Sequence, residues 1–262
     1  EHQLHHLMAR LSERAMTVLR FLAQQRFATT SHLARLLRPH HASPASALRQ
    51  TSRLTNHLVT LHLIRALTRR IGGMRAGSGA AIWHLTEPGH RLITRHDADT
   101  GTPTRRRWHE PSLGFLTHTL AITETRITIE EAARHGPITI HHIEPEPTCW
   151  RSHLGPYGQP EWVKPDLSLI TETDGYQDHW WCEIDLATEN PARITTKARA
   201  YHRHYQAGTE QATRGVFPRV LWITPHPTRK QQLHRILTSD TTLPTGMHST
   251  ISLEEIADVL NN

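Results

Sequence analysis

Two apolar segments near the middle of the chain are joined by a short polar turn, and together they predict a β-hairpin that carries acidic side chains. The segments are VKPDLSLIT and HWWCEIDLAT, and the Asp174-Gly175 pair between them is typical of a tight hairpin turn. Because side chains alternate along a strand, Glu183 and Asp185 point to the same face of the second strand. Asp166 begins the first strand, so three carboxylates can converge at one end of the hairpin.

The elements around this hairpin follow a defined order. A long amphipathic helix with Leu116, Leu120 and Ile127 at helical spacing comes first, and the strand ITIHHI follows it. After the hairpin, Asn190-Pro191 supplies an N-cap and a first-turn proline for another helix, which the strand RVLWIT follows. The resulting order α-β-β-β-α-β is that of the PD-(D/E)xK nuclease core, in which a lysine follows the second acidic residue.

The pattern predicts a metal-dependent nuclease site with one departure. Mg²⁺ and Mn²⁺ prefer oxygen ligands, so Asp166, Glu183 and Asp185 are the predicted metal-binding and catalytic carboxylates. Asp185 occupies the position of the lysine, and Lys197, two turns into the next helix, is the candidate replacement. A lysine there would stabilise negative charge developing on a phosphate. Tyr201 lies one turn later on the same helix face.

Structural explanations of these residues remain open at this point. Asp166 is alternatively a turn residue, Asp185 a cap at the end of the strand, and Lys197 an exposed helix residue. Glu124, on the long first helix, is either a further ligand or an ordinary solvated side chain.

Charge is distributed unevenly along the chain. Residues 1–110 contain 17 arginines, no lysine and 6 acidic residues, a net charge of +11, whereas residues 111–262 carry −5. The basic half indicates a polyanionic partner. We predict a winged-helix domain at 1–95, a Thr-, Pro- and Arg-rich linker at 96–113 and a nuclease-like domain at 114–262.

Three helical stretches and a hairpin occupy the basic half. SERAMTVLRFLAQQRF, TTSHLARLLRP and ASALRQTSRLTNHLVTLHLI show apolar residues at helical spacing, and IRALTRRIGG and AAIWHLT flank a glycine-rich tip. This order predicts a winged helix-turn-helix whose third helix enters the major groove, while the hairpin reaches phosphates or the minor groove. The predicted DNA-binding residues are Arg49, Gln50, Arg53 and Asn56 in the helix and Arg69, Arg70 and Arg75 in the wing. The alternative is a winged helix that contacts another protein.

The composition of the chain indicates the cellular compartment in which the protein acts. The two cysteines, Cys149 and Cys182, form no CxxC motif and suggest a reducing compartment. No stretch approaches the roughly 18 apolar residues of a membrane span, and no signal peptide is recognisable. We therefore expect a cytoplasmic protein without a membrane partner.

Several segments, in order, resemble the replication-relaxation family of plasmid and mobile-element proteins. They are IWHLTEPGHRLI, FLTHTLAITETRI, CWR, PDLSLI, CEIDLATENPARITTKARAYHRHY and FPRVLWIT, and the resemblance covers about residues 12–235. It implies a role in DNA replication and relaxation, and it implies that aspartate at position 185 is typical of the family.

The expected fold is therefore mixed, α+β or α/β, with a winged helix-turn-helix followed by a PD-(D/E)xK nuclease-like domain. The expected function is binding of double-stranded DNA, with metal-dependent nicking by the second domain. The alternative is a non-catalytic regulator, or an accessory factor for a relaxase or replication protein, in which the nuclease-like fold serves for homodimerisation or partner docking.

Overall fold

The computed structural model describes residues 11–68, 81–96 and 110–261. The chain forms two compact units, Glu1–Ile127 and Thr128–Asn262, and it combines helices with a mixed β-sheet, which confirms the mixed α/β class. The predicted wing residues Arg69, Arg70 and Arg75 lie outside the described residues, as does most of the predicted linker. The domain limits at 95 and 113 therefore stay predictions.

Three helices begin the first unit, and each starts at a side-chain cap. Helix α1 spans Glu13–Gln25, α2 spans Thr30–Leu36 and α3 spans Pro44–Thr60. Their caps are Ser12, Thr29 and Ser43, whose hydroxyl oxygens each accept a backbone N–H of the first turn. A 3₁₀ turn at Arg38–His40 contains Pro39 and separates α2 from α3.

A small three-stranded sheet accompanies these helices. Strand β1 is Ala28–Thr29, β2 is Ile64–Ala66 and β3 is Ile82–Leu85, in the order β1-β3-β2 with both pairs antiparallel. Helix α4, Glu87–His96, follows β3. The predicted hairpin is thus present as β2 and β3, whereas the sequence analysis did not predict β1 or α4.

The core of the first unit is built mainly from leucines of the three helices. Leu19, Leu22, Leu33 and Leu58 are fully buried together with Leu63. Burying a leucine side chain contributes about 1.5–3 kcal/mol relative to leaving it exposed. The burial of Leu58 fixes which face of α3 turns inward, and therefore which face remains on the surface.

Helix α5, Leu113–His135, spans the boundary between the two units. The second unit then contains a five-stranded sheet. Its strands are β4 (Thr139–Pro145), β7 (Leu167–Thr173), β8 (Tyr176–Ile184), β9 (Arg219–Thr224) and β10 (His248–Ser252), in the order β10-β9-β8-β7-β4. The pairs β4–β7 and β7–β8 are antiparallel, and β8–β9 and β9–β10 are parallel.

The turn between β7 and β8 is the predicted one. Asp174 and Gly175 have φ angles of 52° and 82°, the left-handed values that a two-residue hairpin turn requires. A separate two-stranded sheet, β5 (Arg151–Leu154) and β6 (Pro160–Val163), precedes β7. These two strands were not predicted from the sequence.

Helices α6 (Pro191–Gln206) and α8 (Pro227–Ser239) pack on one face of the large sheet. The unit also contains the short helices α7 (Thr209–Arg214) and α9 (Ile256–Leu260). Trp181 and Trp222 of the sheet pack with Ile194 and Ala198 of α6 and Leu233 of α8. Among the described helices, none has the length and apolar character needed to cross a membrane.

Candidate functional site

The hairpin of β7 and β8 brings two predicted carboxylates together. Leu167 pairs with Cys182, so Asp166, one residue earlier, lies across from Glu183. The Asp166 backbone N–H donates to the Cys182 carbonyl at 3.0 Å, and Asp166 Oδ2 accepts the Ile184 N–H at 2.7 Å. Both acidic side chains are buried, and Glu183 is only 2 % exposed. The strand register thus places two negative charges in a region that water hardly reaches.

Lys197 of α6 contacts Glu183, the second member of this acidic pair. Its Nζ lies 2.8 Å from Glu183 Oε2, and the Tyr201 hydroxyl donates to Glu183 Oε1 at 2.5 Å. Lys197 Nζ also lies 3.4 Å from Glu189 Oε1. Asn190 caps the helix that carries both side chains, and their spacing of four residues puts them on one face. The two groups therefore use both oxygens of the Glu183 carboxylate.

The protonation of this cluster follows from burial and charge. Burial, followed by the charge of Asp166, raises the pKa of Glu183, although Lys197 and Tyr201 partly oppose the rise. Burial alone would lower the pKa of Lys197, but the negative charge of Glu183 raises it above its usual value. Burial and Glu183 also raise the pKa of Tyr201. Lys197 and Tyr201 thus keep their protons at neutral pH and donate hydrogen bonds to Glu183.

Asp185 has a different environment from the other two carboxylates. Arg229 of α8 forms a two-point contact with it, Nε to Oδ1 at 2.8 Å and Nη2 to Oδ2 at 2.9 Å. The Ala187 N–H donates to Asp185 Oδ1 at 2.6 Å, and Arg229 Nη2 also donates to the Glu189 carbonyl at 2.7 Å. Asp185 is therefore paired with a buried guanidinium and helps to hold the loop that leads into α6.

The donor chemistry fits a divalent cation at only part of the predicted site. Asp166 and Glu183 supply hard oxygen atoms close to one another, which suits Mg²⁺ or Mn²⁺. Asp185 does not fit, because Arg229 already binds both of its oxygens. Within the described ranges, no group of three or more His, Cys, Asp or Glu side chains is arranged to hold a metal ion. Of the three predicted carboxylates, Asp166 and Glu183 are therefore the two left to hold a metal, and Glu183 would have to share its two oxygens with Lys197 and Tyr201.

Glu124 belongs to a different cluster. Its carboxylate lies 3.0 Å from His32 Nε2 and 2.6 Å from Arg35 Nη1, both of which are on α2. Burial would raise the pKa of Glu124, but the hydrogen bonds of His32 and Arg35 lower it to about 2. Glu124 thus ties α5 to α2 inside the first unit.

One face of α3 presents polar side chains to solvent. Arg49, Gln50, Arg53 and Asn56 are all exposed, and none of them has a side-chain hydrogen bond or ion pair within the described part of the chain. The opposite face contains Ala47, Thr51, Thr55 and Leu58, which are buried. The structure therefore brings the four predicted residues of this helix to one accessible surface.

Sequence reasoning did not find Arg229. Its partner Asp185 is 44 residues away, and no local pattern distinguishes it from the other arginines of the chain. Lys197 could be predicted because Asn190 marks the start of its helix, so the position of Lys197 on that helix can be counted from the sequence.

A basic, mostly helical unit followed by an α/β unit with buried carboxylates defines a two-part protein of mixed α/β class. A family model described as replication-relaxation matches residues 19–220, which is most of the 262-residue chain. The chain belongs to the replication-relaxation family, as its sequence segments predicted. Membership points to a role in replication and relaxation of mobile elements. A comparison with curated proteins gave no significant match.

Proposed function

We propose that this protein binds duplex DNA through its first unit, which folds as a winged helix and inserts α3 into the major groove. The observation that carries this proposal is the row of unpaired polar side chains on the exposed face of α3. The order of helices α1, α2 and α3 followed by the β2–β3 hairpin supports it. So does the net charge of +11 on residues 1–110.

Base recognition follows from the residue types on α3. Arginine forms paired hydrogen bonds with guanine, and glutamine and asparagine do so with adenine. Because these side chains have no partner among the described residues, they would lose only hydrogen bonds to water when they contact the bases. The predicted wing residues Arg69, Arg70 and Arg75 would add phosphate or minor-groove contacts.

The test compares duplexes from the protein's own genetic locus with scrambled duplexes in a fluorescence anisotropy titration. We expect Arg49→Ala and Asn56→Ala to reduce discrimination by about 1–3 kcal/mol each. Arg91→Ala is the matched control, because Arg91 is an exposed arginine of the same unit that pairs with Glu87. Unchanged binding by both α3 variants would remove the assignment of α3 as the recognition helix.

We further propose that the second unit is a PD-(D/E)xK-like unit that nicks the bound DNA. The specific support is Lys197 Nζ, which lies 2.8 Å from the carboxylate of Glu183 opposite Asp166. Mg²⁺ or Mn²⁺ held by Asp166 and Glu183 would supply Lewis-acid stabilisation of the phosphate charge. Lys197 would contribute a fixed positive charge, Tyr201 would orient Glu183, and Asp185 would hold Arg229 rather than metal.

Nicking is measured on supercoiled plasmid carrying the protein's own locus, with Mg²⁺ or Mn²⁺. We expect nicked product from the wild type and its loss in Asp166→Asn and Lys197→Met. Lys230→Met is the control, because the Lys230 side chain also pairs with a glutamate, Glu255, and has the same 33 % exposure as Lys197.

A different outcome selects the other function. If neither metal yields nicked product while duplex binding persists, the protein is a non-catalytic DNA-binding factor. Its second unit would then serve for homodimerisation or for docking a replication or relaxase protein.

A further inference from the structure

A cavity of about 240 Å³ opens beside α3 in the first unit. Its polar lining consists of Ser12 and Arg14 at the start of α1, His41 before α3, and Gln50 and Arg53 on α3. Two leucines form the apolar part of the wall. Since a water molecule takes about 30 Å³ in the liquid, this volume accommodates a tetrahedral oxyanion with its hydration.

The lining is positively charged, and no acidic side chain of the described residues belongs to it. Arg14 and Arg53 have no ion pair or side-chain hydrogen bond to any residue that the structure describes. The Nε2 atom of His41 is buried and has no hydrogen-bond partner among those same residues. Burial, followed by the charges of Arg14, His40 and Arg38, lowers the pKa of His41. The two unpaired arginines therefore give the cavity a positive charge that no acidic group among the described residues balances.

We propose that this cavity binds one backbone phosphate of duplex DNA, an inference that rests on the proposed DNA-binding function. The guanidinium groups of Arg14 and Arg53 and the Gln50 amide offer donors to phosphate oxygens from α1 and α3. Ser12 Oγ accepts the Ala15 N–H, which leaves its hydroxyl hydrogen available as a further donor.

This site divides the exposed face of α3 between two tasks. Gln50 and Arg53 line the cavity and would contact the backbone, whereas Arg49 and Asn56 lie outside its lining and would face base edges. The phosphate would therefore fix the register of α3 on the duplex, and the sequence would be read by the other two residues.

The test measures duplex affinity of the full chain at several salt concentrations for wild type, Arg14→Gln and Arg91→Gln. We expect Arg14→Gln to make the slope of log affinity against log salt shallower by about 0.9, the value for one phosphate contact. The loss of affinity should be equal for cognate and scrambled duplexes. Arg91→Gln should leave the slope unchanged, because Arg91 does not line the cavity.

Three outcomes would overturn the inference in distinguishable ways. Wild-type slope and affinity in Arg14→Gln would remove the phosphate site and leave DNA binding intact. A loss confined to the cognate duplex would assign Arg14 to sequence reading instead. If inorganic phosphate raises the melting temperature of wild type but not of Arg14→Gln, while no duplex binds, the cavity takes a free anion and the proposed function itself fails.

Discussion

At the scale of single residues, the second unit supplies its own cations to two of the three acidic groups. Lys197 contacts Glu183, and Arg229 contacts Asp185. Buried charges are costly unless they are paired, so each of these cations is required once the carboxylate is buried. Asp185 therefore does not leave an uncompensated charge.

Removing Arg229 tests this pairing. We expect Arg229→Ala to lower the free energy of unfolding of the second unit by about 3–5 kcal/mol, because it leaves the carboxylate of Asp185 buried and unpaired. Arg193→Ala is the control, since Arg193 pairs with Glu189 at the surface and should contribute less than about 1 kcal/mol. Equal effects of the two substitutions in urea denaturation would contradict the role given to Arg229.

The Glu124 cluster predicts a pH dependence of the first unit. Because the pKa of Glu124 is about 2 in the folded protein and 4.5 ordinarily, its stabilisation is complete above pH 4.5 and is lost as the pH falls toward 2. The effect is at most about 3 kcal/mol, and solvent screening of this partly exposed side chain reduces it.

The measurement is urea denaturation of wild type and Glu124→Gln between pH 7 and pH 2. The difference between the two proteins should shrink as the pH falls below 4.5. A difference that stays constant over this range would show that Glu124 acts through packing rather than through its charge.

At the scale of secondary structure, the orientation of α3 decides what the first unit can bind. Leu58 is completely buried, whereas Val59, the next residue, is 38 % exposed. We expect Leu58→Ala to cost about 2–5 kcal/mol and Val59→Ala to cost much less, measured by thermal or urea unfolding. A larger effect of Val59→Ala would mean that another face of α3 is available to DNA.

The elements that could be predicted from the sequence are those with strong local signals. The Asp174-Gly175 turn, the alternation along β8 and the capped start of α6 depend on neighbouring residues, so the sequence predicts that Glu183 lies on a strand and Lys197 on the next helix. Strands β5 and β6 have weak alternation, and β1 has only two residues. Strand β1 pairs with the distant β3, which a single sequence does not display, whereas β5 and β6 pair with each other but lack a pattern strong enough to predict.

Arg229 and the cavity beside α3 could not be predicted for a related reason, because both depend on contacts between distant parts of the chain. Arg229 meets Asp185 only after β9 and α8 have packed beside β8, and the cavity beside α3 forms only when α1 approaches it. Contacts of this kind depend on tertiary structure, because the participating residues have no fixed spacing along the chain. The sequence therefore identified Asp185 as an acidic residue beside Glu183, but it did not identify Arg229 as the residue that pairs with it.

At the scale of the whole molecule, a basic unit and an acidic unit occur in one chain of the replication-relaxation family. Among the residues that the structure describes, the polar side chains on the exposed face of α3 and the arginines of the cavity have no internal partner, whereas Glu183 and Asp185 of the second unit are paired with Lys197 and Arg229. We propose that this difference reflects binding of duplex DNA by the first unit.

The most direct test is the affinity of the full chain for a duplex from its own locus, measured by fluorescence anisotropy across a range of salt concentrations. We predict binding at low salt and a linear fall of log affinity with log salt, with a slope of about −0.9 for each phosphate contacted. Absence of binding at low salt, or an affinity that does not change with salt, would contradict duplex DNA binding by the first unit.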